Sequence, residues 1–252
     1  MQWRGARGEA GGIMKGVILA GGTGSRLYPL TKVTNKHLLP VARKPMIYHP
    51  INKLKQAGID EILIVTGIEH MGDVVNLLGS GKEFGCRFTY KVQDEAGGIA
   101  QALGLAEHFS SGEKILAVLG DNIFEENLSN AASKFEKQAS GAKLLLKEVK
   151  DPQRFGVAEI KGDKILGIEE KPKNPKSKLI VTGIYMYDTE VFEIIRKLKP
   201  SGRGELEITD VNNEYIKRGD ISYEIMQGWW TDAGTFETLE LATLLVEGRA
   251  LK

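Results

Sequence analysis

The segment GVILAGGTGSR, residues 16–26, joins an apolar run directly to a glycine-rich stretch that contains an arginine. The apolar run predicts a short buried strand, so the glycines predict a turn at the carboxyl end of that strand. Glycines let backbone N–H groups approach phosphates closely, and the nearby cations Arg26 and Lys36 can bind phosphate oxygens. A glycine turn alone is more often structural, but with these two cations the segment favours a triphosphate-binding loop.

Two familiar glycine motifs do not fit this segment. A Walker loop ends in Gly-Lys-Ser or Gly-Lys-Thr, and neither tripeptide occurs in the chain. A dinucleotide-binding fingerprint needs Gly or Ala where Leu27 stands, and an acidic residue further along where the chain has the basic Lys36. Neither a P-loop nor a dinucleotide site is therefore predicted.

Outward from this segment, strand patterns alternate with helical patterns. Strands are predicted over residues 16–20, 59–67, 86–93, 114–120, 178–188 and 221–228. Helices are predicted over residues 45–57, 72–78, 100–109, 127–140, 190–199, 207–219 and 235–248. Residues 157–171 predict a hairpin that turns at Gly162 and Asp163. The alternation predicts an α/β fold: a single Rossmann-like domain with a mainly parallel mixed sheet, helices on both faces and a small α+β part.

Composition and charge exclude several classes of partner. The chain has 252 residues, with 34 Lys and Arg against 33 Asp and Glu, so a net charge of +1 predicts neither a nucleic acid nor a membrane surface as partner. No apolar run approaches the ~20 residues of a membrane-spanning helix. The single cysteine, Cys86, excludes an internal disulfide framework and is consistent with a cytoplasmic setting. Residues 1–13 predict a disordered extension ahead of a domain over residues 14–252.

Ordered motifs from residue 14 to residue 247 resemble those of the sugar-nucleotide pyrophosphorylases, a sugar nucleotidyltransferase family, and most closely the glucose-1-phosphate thymidylyltransferases within it. The motifs, in order, are LAGGTGSRLYPLT, QDEAGGIAQA, VLGDNIF, DPQRFGVAEI, GIEEKPKNPKSKLIVTGIYMYD, PSGRGELEITDVN and WWTDAGTFETL. The resemblance implies a Mg²⁺-dependent transfer from dTTP to glucose 1-phosphate, giving dTDP-glucose and pyrophosphate by direct attack of the sugar phosphate on the α-phosphorus. Two alternatives stay open: a related enzyme that uses UTP or another sugar, and a non-catalytic nucleotide-binding relative.

The resemblance also implies roles for particular residues. The nucleotide would be bound by Gly21, Gly22, Gly24, Ser25, Arg26, Gln93 and Gly98. Arg26, Lys36, Asp121 and Asp232 would be catalytic, with Asp121 and Asp232 holding the metal ion. The sugar phosphate would be bound by Gly156, Glu170, Lys171, Val181 and Arg203. Each residue also has an ordinary structural role to be weighed, because an aspartate after a strand is often a turn former and a run of lysines is often a solvated loop.

Three departures from the family pattern qualify these expectations. Ser25 stands where threonine is usual, and Asp94–Gly98 replaces a turn that usually contains proline before the base-reading glycine. The long bacterial enzymes carry further helices after the segment that matches residues 235–248, and these help to build a subunit interface and a regulatory nucleotide site. We therefore expect hyperbolic saturation without feedback control, in a protein that can still form a homo-oligomer.

Overall fold

A computed structural model describes residues 14–249, so the predicted disordered extension over residues 1–13 lies outside the described residues. The strands are β1 (Lys15–Ala20), β2 (Pro40–Val41), β3 (Lys44–Pro45), β4 (Glu61–Gly67), β5 (Arg87–Gln93), β6 (Ile115–Leu119), β7 (Asn122–Phe124), β8 (Ala142–Glu148), β9 (Gly156–Lys161), β10 (Lys164–Glu170), β11 (Leu179–Tyr187), β12 (Ile221–Ile225) and β13 (Trp230–Asp232). The α-helices are α1 (Tyr48–Gln56), α2 (Met71–Leu78), α3 (Ile99–Gly104), α4 (Glu107–Ser110), α5 (Ser129–Lys137), α6 (Glu190–Lys197), α7 (Ile208–Arg218) and α8 (Phe236–Val246).

Across the described part of the chain, nine of these strands form one mixed sheet. Strands β5, β4, β1 and β6 are parallel neighbours, with β1 at the centre between β4 and β6. Strand β11 then pairs antiparallel with β6, β8 and β9. Strand β12 runs parallel to β8, and β9 with β10 forms the hairpin predicted from the sequence. The predicted fold class, an α/β mixed sheet with a parallel centre, is confirmed.

Helices cover both faces of the sheet because successive side chains of a buried strand point to opposite faces. Val17 and Leu19 of β1 belong to a core cluster shared with α3, α6 and α7. Ile18 and Ala20 belong to the opposite cluster, which contains residues of α1, α2 and α5. The consecutive apolar residues of β1 are therefore all buried in one core cluster or the other, which is the pattern of a parallel strand covered on both faces.

Two local predictions were wrong. The helix predicted from residue 45 begins at Tyr48, because Lys44–Pro45 pairs antiparallel with Pro40–Val41 in a small hairpin. The helix predicted over 100–109 is interrupted, since the N–H groups of Leu105 and Ala106 bond to carbonyls only three residues back.

Strand β8 was not predicted at all. Its sequence, AKLLLKE, is compatible with either a helix or a strand, and only its position between β11 and β12 selects the strand. Among residues 14–249, the structure contains no helix with the length and hydrophobicity that crossing a membrane requires.

Candidate active site

A cleft of about 440 Å³ opens where the parallel strands end. Gly21 follows β1, Asp121 follows β6 and Gln93 ends β5, so the cleft lies at the carboxyl edge that open α/β sheets use for ligands. Its walls contain most of the residues that the resemblance implied: Gly21, Gly22, Arg26, Lys36, Gln93, Gly98, Asp121, Gly156, Glu170, Lys171, Val181, Arg203 and Asp232. The chain therefore brings residues from distant motifs around one cavity.

Gly24 and Ser25 are not among the residues that line the cleft. Gly24 has a φ of +62°, and its carbonyl accepts a hydrogen bond from the Thr31 hydroxyl at 2.8 Å. A Cβ atom on Gly24 would lie 2.9 Å from Thr31 Cγ2 and 3.3 Å from Lys36 Cβ. Ser25 begins a single turn of 3-10 helix that ends at Leu27. In the structure, Gly24 and Ser25 thus shape the loop that carries Arg26.

A two-stranded ribbon brings the two aspartates together. Strands β7 and β13 pair antiparallel, and Asp232 lies opposite Asn122. The N–H of Ala233 donates to the carbonyl of Asp121 at 2.8 Å, which continues the pairing beyond Asp232. Both strands are only three residues long, and no periodic pattern reveals strands this short. The ribbon was therefore missed by sequence reasoning.

Asp121 is held ionised beside a lysine. Its Oδ2 atom accepts a hydrogen bond from Lys36 Nζ at 2.6 Å, and its Oδ1 atom accepts one from Asn122 Nδ2 at 3.1 Å. Burial by itself would raise the pKa of Asp121, but the Lys36 ammonium and these hydrogen bonds outweigh it and keep that pKa below its usual range.

The surroundings of Asp232 shift its pKa in the direction opposite to that of Asp121. Burial and the negative charge of Asp121 raise the pKa of Asp232, although Arg154 and Arg26 oppose the shift. Arg154 Nη2 lies 3.3 Å from Asp232 Oδ2. A Cβ atom on Gly234 would lie 3.0 Å from both Arg26 Nη2 and Asp232 Oδ2, so the glycine leaves room for the arginine to approach the carboxylate. The two carboxylates thus act on each other across the cleft.

Asn122 joins the ribbon to the main sheet. Its Oδ1 atom accepts hydrogen bonds from the N–H of Gly183 at 3.0 Å and from Trp230 Nε1 at 2.8 Å. The Trp230 ring packs edge-on against Phe155 with ring centroids 5.5 Å apart. The sequence predicts that Trp230 is packing around Asp232 rather than a stacking platform, and these contacts agree with a structural role.

His37 also lines the cleft but carries no charge. It is almost fully buried, and burial followed by the charge of Lys36 lowers its pKa to about 3. A Cβ atom on Gly120 would lie 2.6 Å from His37 Cδ2, so the glycine before Asp121 allows the ring to pack beneath the site. A neutral imidazole next to Lys36 adds no repulsion to the Lys36–Asp121 pair.

The wall of the cleft that includes the end of β10 and the segment before α7 has charged groups that pair with one another. Arg203 bonds to both carboxylate oxygens of Glu207, with its Nη2 atom 2.9 and 2.8 Å from them. The same Nη2 atom lies 3.7 Å from Glu170 Oε1, and Lys171 Nζ lies 3.4 Å from that atom. The Thr209 hydroxyl donates to Glu170 Oε2 at 2.6 Å. Two cations and Glu170 therefore form one connected cluster on this wall.

Sequence reasoning assigned no role to several residues of the site. They are Arg154, Asn122, Thr209 and Glu207, and Gln101, which lies behind the wall of the cleft. All of them lie inside or beside motifs that were noted for other residues. Arg154, Asn122 and Thr209 contact residues that are distant in the chain, so the motifs could have marked them as candidates but could not have assigned their partners. Glu207 and Gln101 contact residues of their own motifs, but the motifs do not say which atoms meet.

Comparisons with known proteins agree with this geometry. The family described as "Nucleotidyl transferase" matches residues 15–248. The chain belongs to the nucleotidyl transferase family. A glucose-1-phosphate thymidylyltransferase of Neisseria meningitidis is 44% identical over 93% of this chain and 83% of its own length. One from Xanthomonas campestris is 43% identical over 92% of this chain and 80% of its own length.

Two solved structures support the same grouping. A crystal structure from Bacillus anthracis, described as a candidate glucose-1-phosphate thymidylyltransferase in complex with sucrose, is 62% identical with a TM-score of 0.90. It aligns over 95% of this chain and 97% of that chain. A UDP-glucose pyrophosphorylase in complex with UDP-glucose is 26% identical with a TM-score of 0.81, over 94% of this chain and 99% of that one.

For a nucleotidyltransferase, the charges of the cleft suit a reaction between two anions. Arg26 and Lys36 stand beside Asp121 and Asp232, while Lys171 and Arg203 form a separate pair of cations around Glu170 in the same cleft. Two pairs of cations can neutralise two phosphate groups, and the aspartates supply the oxygen ligands that a hard divalent cation prefers. The cleft can thus align a phosphate nucleophile with a triphosphate.

Proposed function

We propose that this nucleotidyltransferase transfers a thymidylyl group from dTTP to glucose 1-phosphate, releasing pyrophosphate and forming dTDP-glucose. The observation that carries the proposal is the single cleft that is lined by the Lys36–Asp121 pair, by Gln93 and Gly98, and by Lys171 and Arg203. The names of the curated relatives at 43–44% identity support this substrate pair.

The proposed reaction needs alignment and charge neutralisation rather than a covalent nucleophile. A phosphate oxygen of glucose 1-phosphate attacks the α-phosphorus of dTTP, the bond from that phosphorus to the bridging oxygen breaks, and pyrophosphate leaves with the electron pair. Lys171 and Arg203 would orient the attacking phosphate. Arg26 and Lys36 would balance the charge that develops on the α-phosphoryl group and the pyrophosphate, with backbone N–H groups of Gly21 and Gly22 beside them.

The residues of the site fit a magnesium ion. Asp121, directly before β7, and Asp232, in the paired strand β13, provide carboxylate oxygens. Burial and then the charge of Asp121 raise the pKa of Asp232, and a bound cation would offset both effects. Asp121 and Asp232 are two carboxylates, and within residues 14–249 no cluster of three or more His, Cys, Asp or Glu side chains is found. This composition suits Mg²⁺, which combines one or two carboxylates with water and phosphate oxygens. When bound, the ion would neutralise phosphate charge and hold the triphosphate in line.

A uridylyltransferase is the second candidate, because the chain also aligns with a UDP-glucose pyrophosphorylase in complex with UDP-glucose. Thymine and uracil differ only by a methyl group, and one methylene or methyl group in a pocket changes specificity by only about 10–200-fold. The same cleft could therefore accept both dTTP and UTP.

Pyrophosphate release tests both candidates. The protein is incubated with magnesium and glucose 1-phosphate and with dTTP, UTP, CTP, ATP or GTP in turn, and the Asp121→Asn variant serves as the inactive control. Release with dTTP at least equal to that with UTP supports thymidylyl transfer, whereas a clear preference for UTP supports the uridylyl alternative. If none of the five nucleotides gives pyrophosphate release, both candidate functions are refuted.

A further inference from the structure

The amide group of Gln93 is fixed in one orientation by hydrogen bonds inside the protein. Gln93 Nε2 lies 2.8 Å from Gln101 Oε1 and 3.2 Å from the carbonyl oxygen of Gly98. Two acceptors therefore take both hydrogens of the amide nitrogen. Gln93 is only 8% exposed, so little water can replace these partners.

The orientation of Gln101 is itself determined by the backbone. The N–H of Gly97 donates to Gln101 Oε1 at 3.1 Å, and a backbone N–H can only donate. The atom of Gln101 that faces Gly97 must be the oxygen, and the same oxygen receives the hydrogen bond from Gln93. A side chain at position 97 would overlap the Gln101 amide, so glycine at this position is what lets the Gln101 amide approach the backbone N–H.

With its nitrogen used in this way, Gln93 turns its oxygen towards the cleft. A Cβ atom on Gly21 would lie 2.8 Å from Gln93 Oε1, which places the oxygen against the glycine loop. Both Gly21 and Gln93 line the cavity. The polar atom that the Gln93 side chain offers to a ligand is therefore an acceptor, and it can bond only to a ligand group that donates a hydrogen.

We propose that Gln101 is a positioning residue that fixes the polarity of the Gln93 amide, so that the base pocket presents an acceptor and selects nucleobases with an imide N–H. This inference rests on the proposed function and deepens it, because uracil and thymine carry an N3–H donor where cytosine carries a lone pair. Gln101 touches no substrate and acts through Gln93. Its position in the first turn of α3 would by itself give it only a helix-capping role.

Measurements of nucleotide binding distinguish a positioning role of Gln101 from a helix-capping role. The dissociation constants of dTTP, UTP and CTP are measured by calorimetry with magnesium present, on the wild type and on Gln101→Met, which cannot accept a hydrogen bond. We expect the dissociation constants of dTTP and UTP to rise about tenfold, the loss of roughly one orienting hydrogen bond. The preference for UTP over CTP should fall by about threefold or more, because a freed Gln93 amide can present its nitrogen to cytosine.

Two further variants, Gln101→Glu and Gly97→Ala, test the proposal without relying on Gln101→Met alone. Gln101→Glu retains an acceptor for Gly97 and Gln93, so the preference for UTP over CTP should stay within about twofold of the wild type. Gly97→Ala should displace the Gln101 amide and reproduce the effect of Gln101→Met. Gln56→Met, at the exposed end of α1, is the matched control, and thermal unfolding is recorded for every variant.

Several outcomes would overturn the proposal. The UTP preference could stay unchanged in both Gln101→Met and Gly97→Ala, or Gln101→Glu could lose as much discrimination as Gln101→Met. If Gln101→Met does not fold, Gly97→Ala and Gln101→Glu still decide the question. A wild type that binds GTP instead would refute the proposed function alone, because guanine also carries a ring N–H donor, and Gln101→Met should then still weaken GTP binding. A wild type that binds ATP instead would refute both proposals, because the ring nitrogen of adenine at that edge is an acceptor. Binding of no nucleotide would refute both proposals.

Discussion

Lys36 Nζ lies 2.6 Å from Asp121 Oδ2, and both side chains are largely shielded from solvent, with 14% and 12% of their surfaces exposed. The two residues come from different strand ends, one from the turn region after β1 and the other from the segment between β6 and β7. Each charge compensates the burial of the other. Loss of either partner should therefore affect both the stability of the protein and the charge balance of its cleft.

Asp121→Asn should remove turnover without preventing folding. The amide keeps the size of the carboxylate but loses the charge that a metal ion and Lys36 need, so we expect the rate of pyrophosphate release to fall by about 10²–10³-fold, as when other charge-stabilising groups are lost. The rate is measured across a magnesium titration. Asp163→Asn, in the exposed turn of the β9–β10 hairpin, is the matched control. Near-normal release at saturating magnesium would contradict the assignment of Asp121 as a metal ligand.

Lys36→Met should make the stability of the protein depend differently on pH. In the wild type the pKa of Asp121 is depressed, so its charge adds stability above the unfolded pKa of about 3.9, and this contribution is lost as the pH falls through the folded value. In the variant, burial without a counter-charge would raise the pKa of Asp121. The buried carboxylate would then cost about 3–5 kcal/mol at neutral pH, and protonation would relieve that cost as the pH falls.

Urea unfolding without nucleotide or metal, at about pH 7 and about pH 4.5, checks this prediction. The difference in free energy of unfolding between wild type and Lys36→Met should be large at neutral pH and should shrink at the acidic pH. Lys161→Met, an exposed lysine at the end of β9, should show no such change. A difference that is the same at both pH values would mean that Lys36 does not control the charge of Asp121.

Lys171→Ala should weaken the binding of the sugar phosphate selectively. Lys171 and Arg203 both lie near Glu170 Oε1 in the cleft, so the loss of Lys171 should remove one charge-assisted hydrogen bond to the attacking phosphate. We expect the KM for glucose 1-phosphate to rise about tenfold or more, while the KM for dTTP stays within about twofold. Steady-state kinetics of Lys171→Ala and of the exposed neighbour Lys173→Ala give the comparison. Equal increases in both KM values would argue against a sugar-phosphate role.

Gly183→Ala should disturb the site through Asn122. A Cβ atom on Gly183 would lie 2.6 Å from Asn122 Nδ2 and 2.6 Å from Leu119 Cγ, in a densely packed part of β11. Such overpacking costs about 1–3 kcal/mol, and displacement of Asn122 should also lower turnover. Gly167→Ala, in β10, is the matched control because nothing lies within 4 Å of its Cβ position. Urea unfolding and pyrophosphate release should change only for Gly183→Ala; equal effects would contradict this packing argument.

The fold was largely predictable because apolar periodicity and turn residues report local backbone preference. The runs before Gly21 and Asp121 indicated buried strands, the segment that ends at Gln93 indicated a further strand, and parallel strands bring their carboxyl ends to one edge. Two features were not predictable in this way. Strand β8 has a sequence that suits either a helix or a strand, and the β7–β13 ribbon is too short to produce a pattern.

In the candidate site, too, some residues could be predicted from the sequence, whereas the contacts between them could not. Family motifs indicated Arg26, Lys36, Asp121 and Asp232, but the motifs contain no information about which charges meet. Arg154 reaches Asp232 from 78 positions away in the chain, and no local pattern could have paired them. Gln101 was left without a role, because its effect depends on which of its atoms faces Gly97.

The amino-acid sequence by itself determined the alternation of strands and helices, the glycine turn after β1 and the set of charged residues from which a nucleotidyltransferase site is built. The elements and the turn depend on residues that are neighbours in the chain, and the charged residues were indicated by motifs that are each local. Only the tertiary structure decided that Lys36 pairs with Asp121, that Asp232 lies beside Asp121 and that Gln93 turns its oxygen to the cleft. Charge pairing and hydrogen-bond polarity depend on distances of a few ångströms between strand ends, and those distances exist only after the sheet has formed.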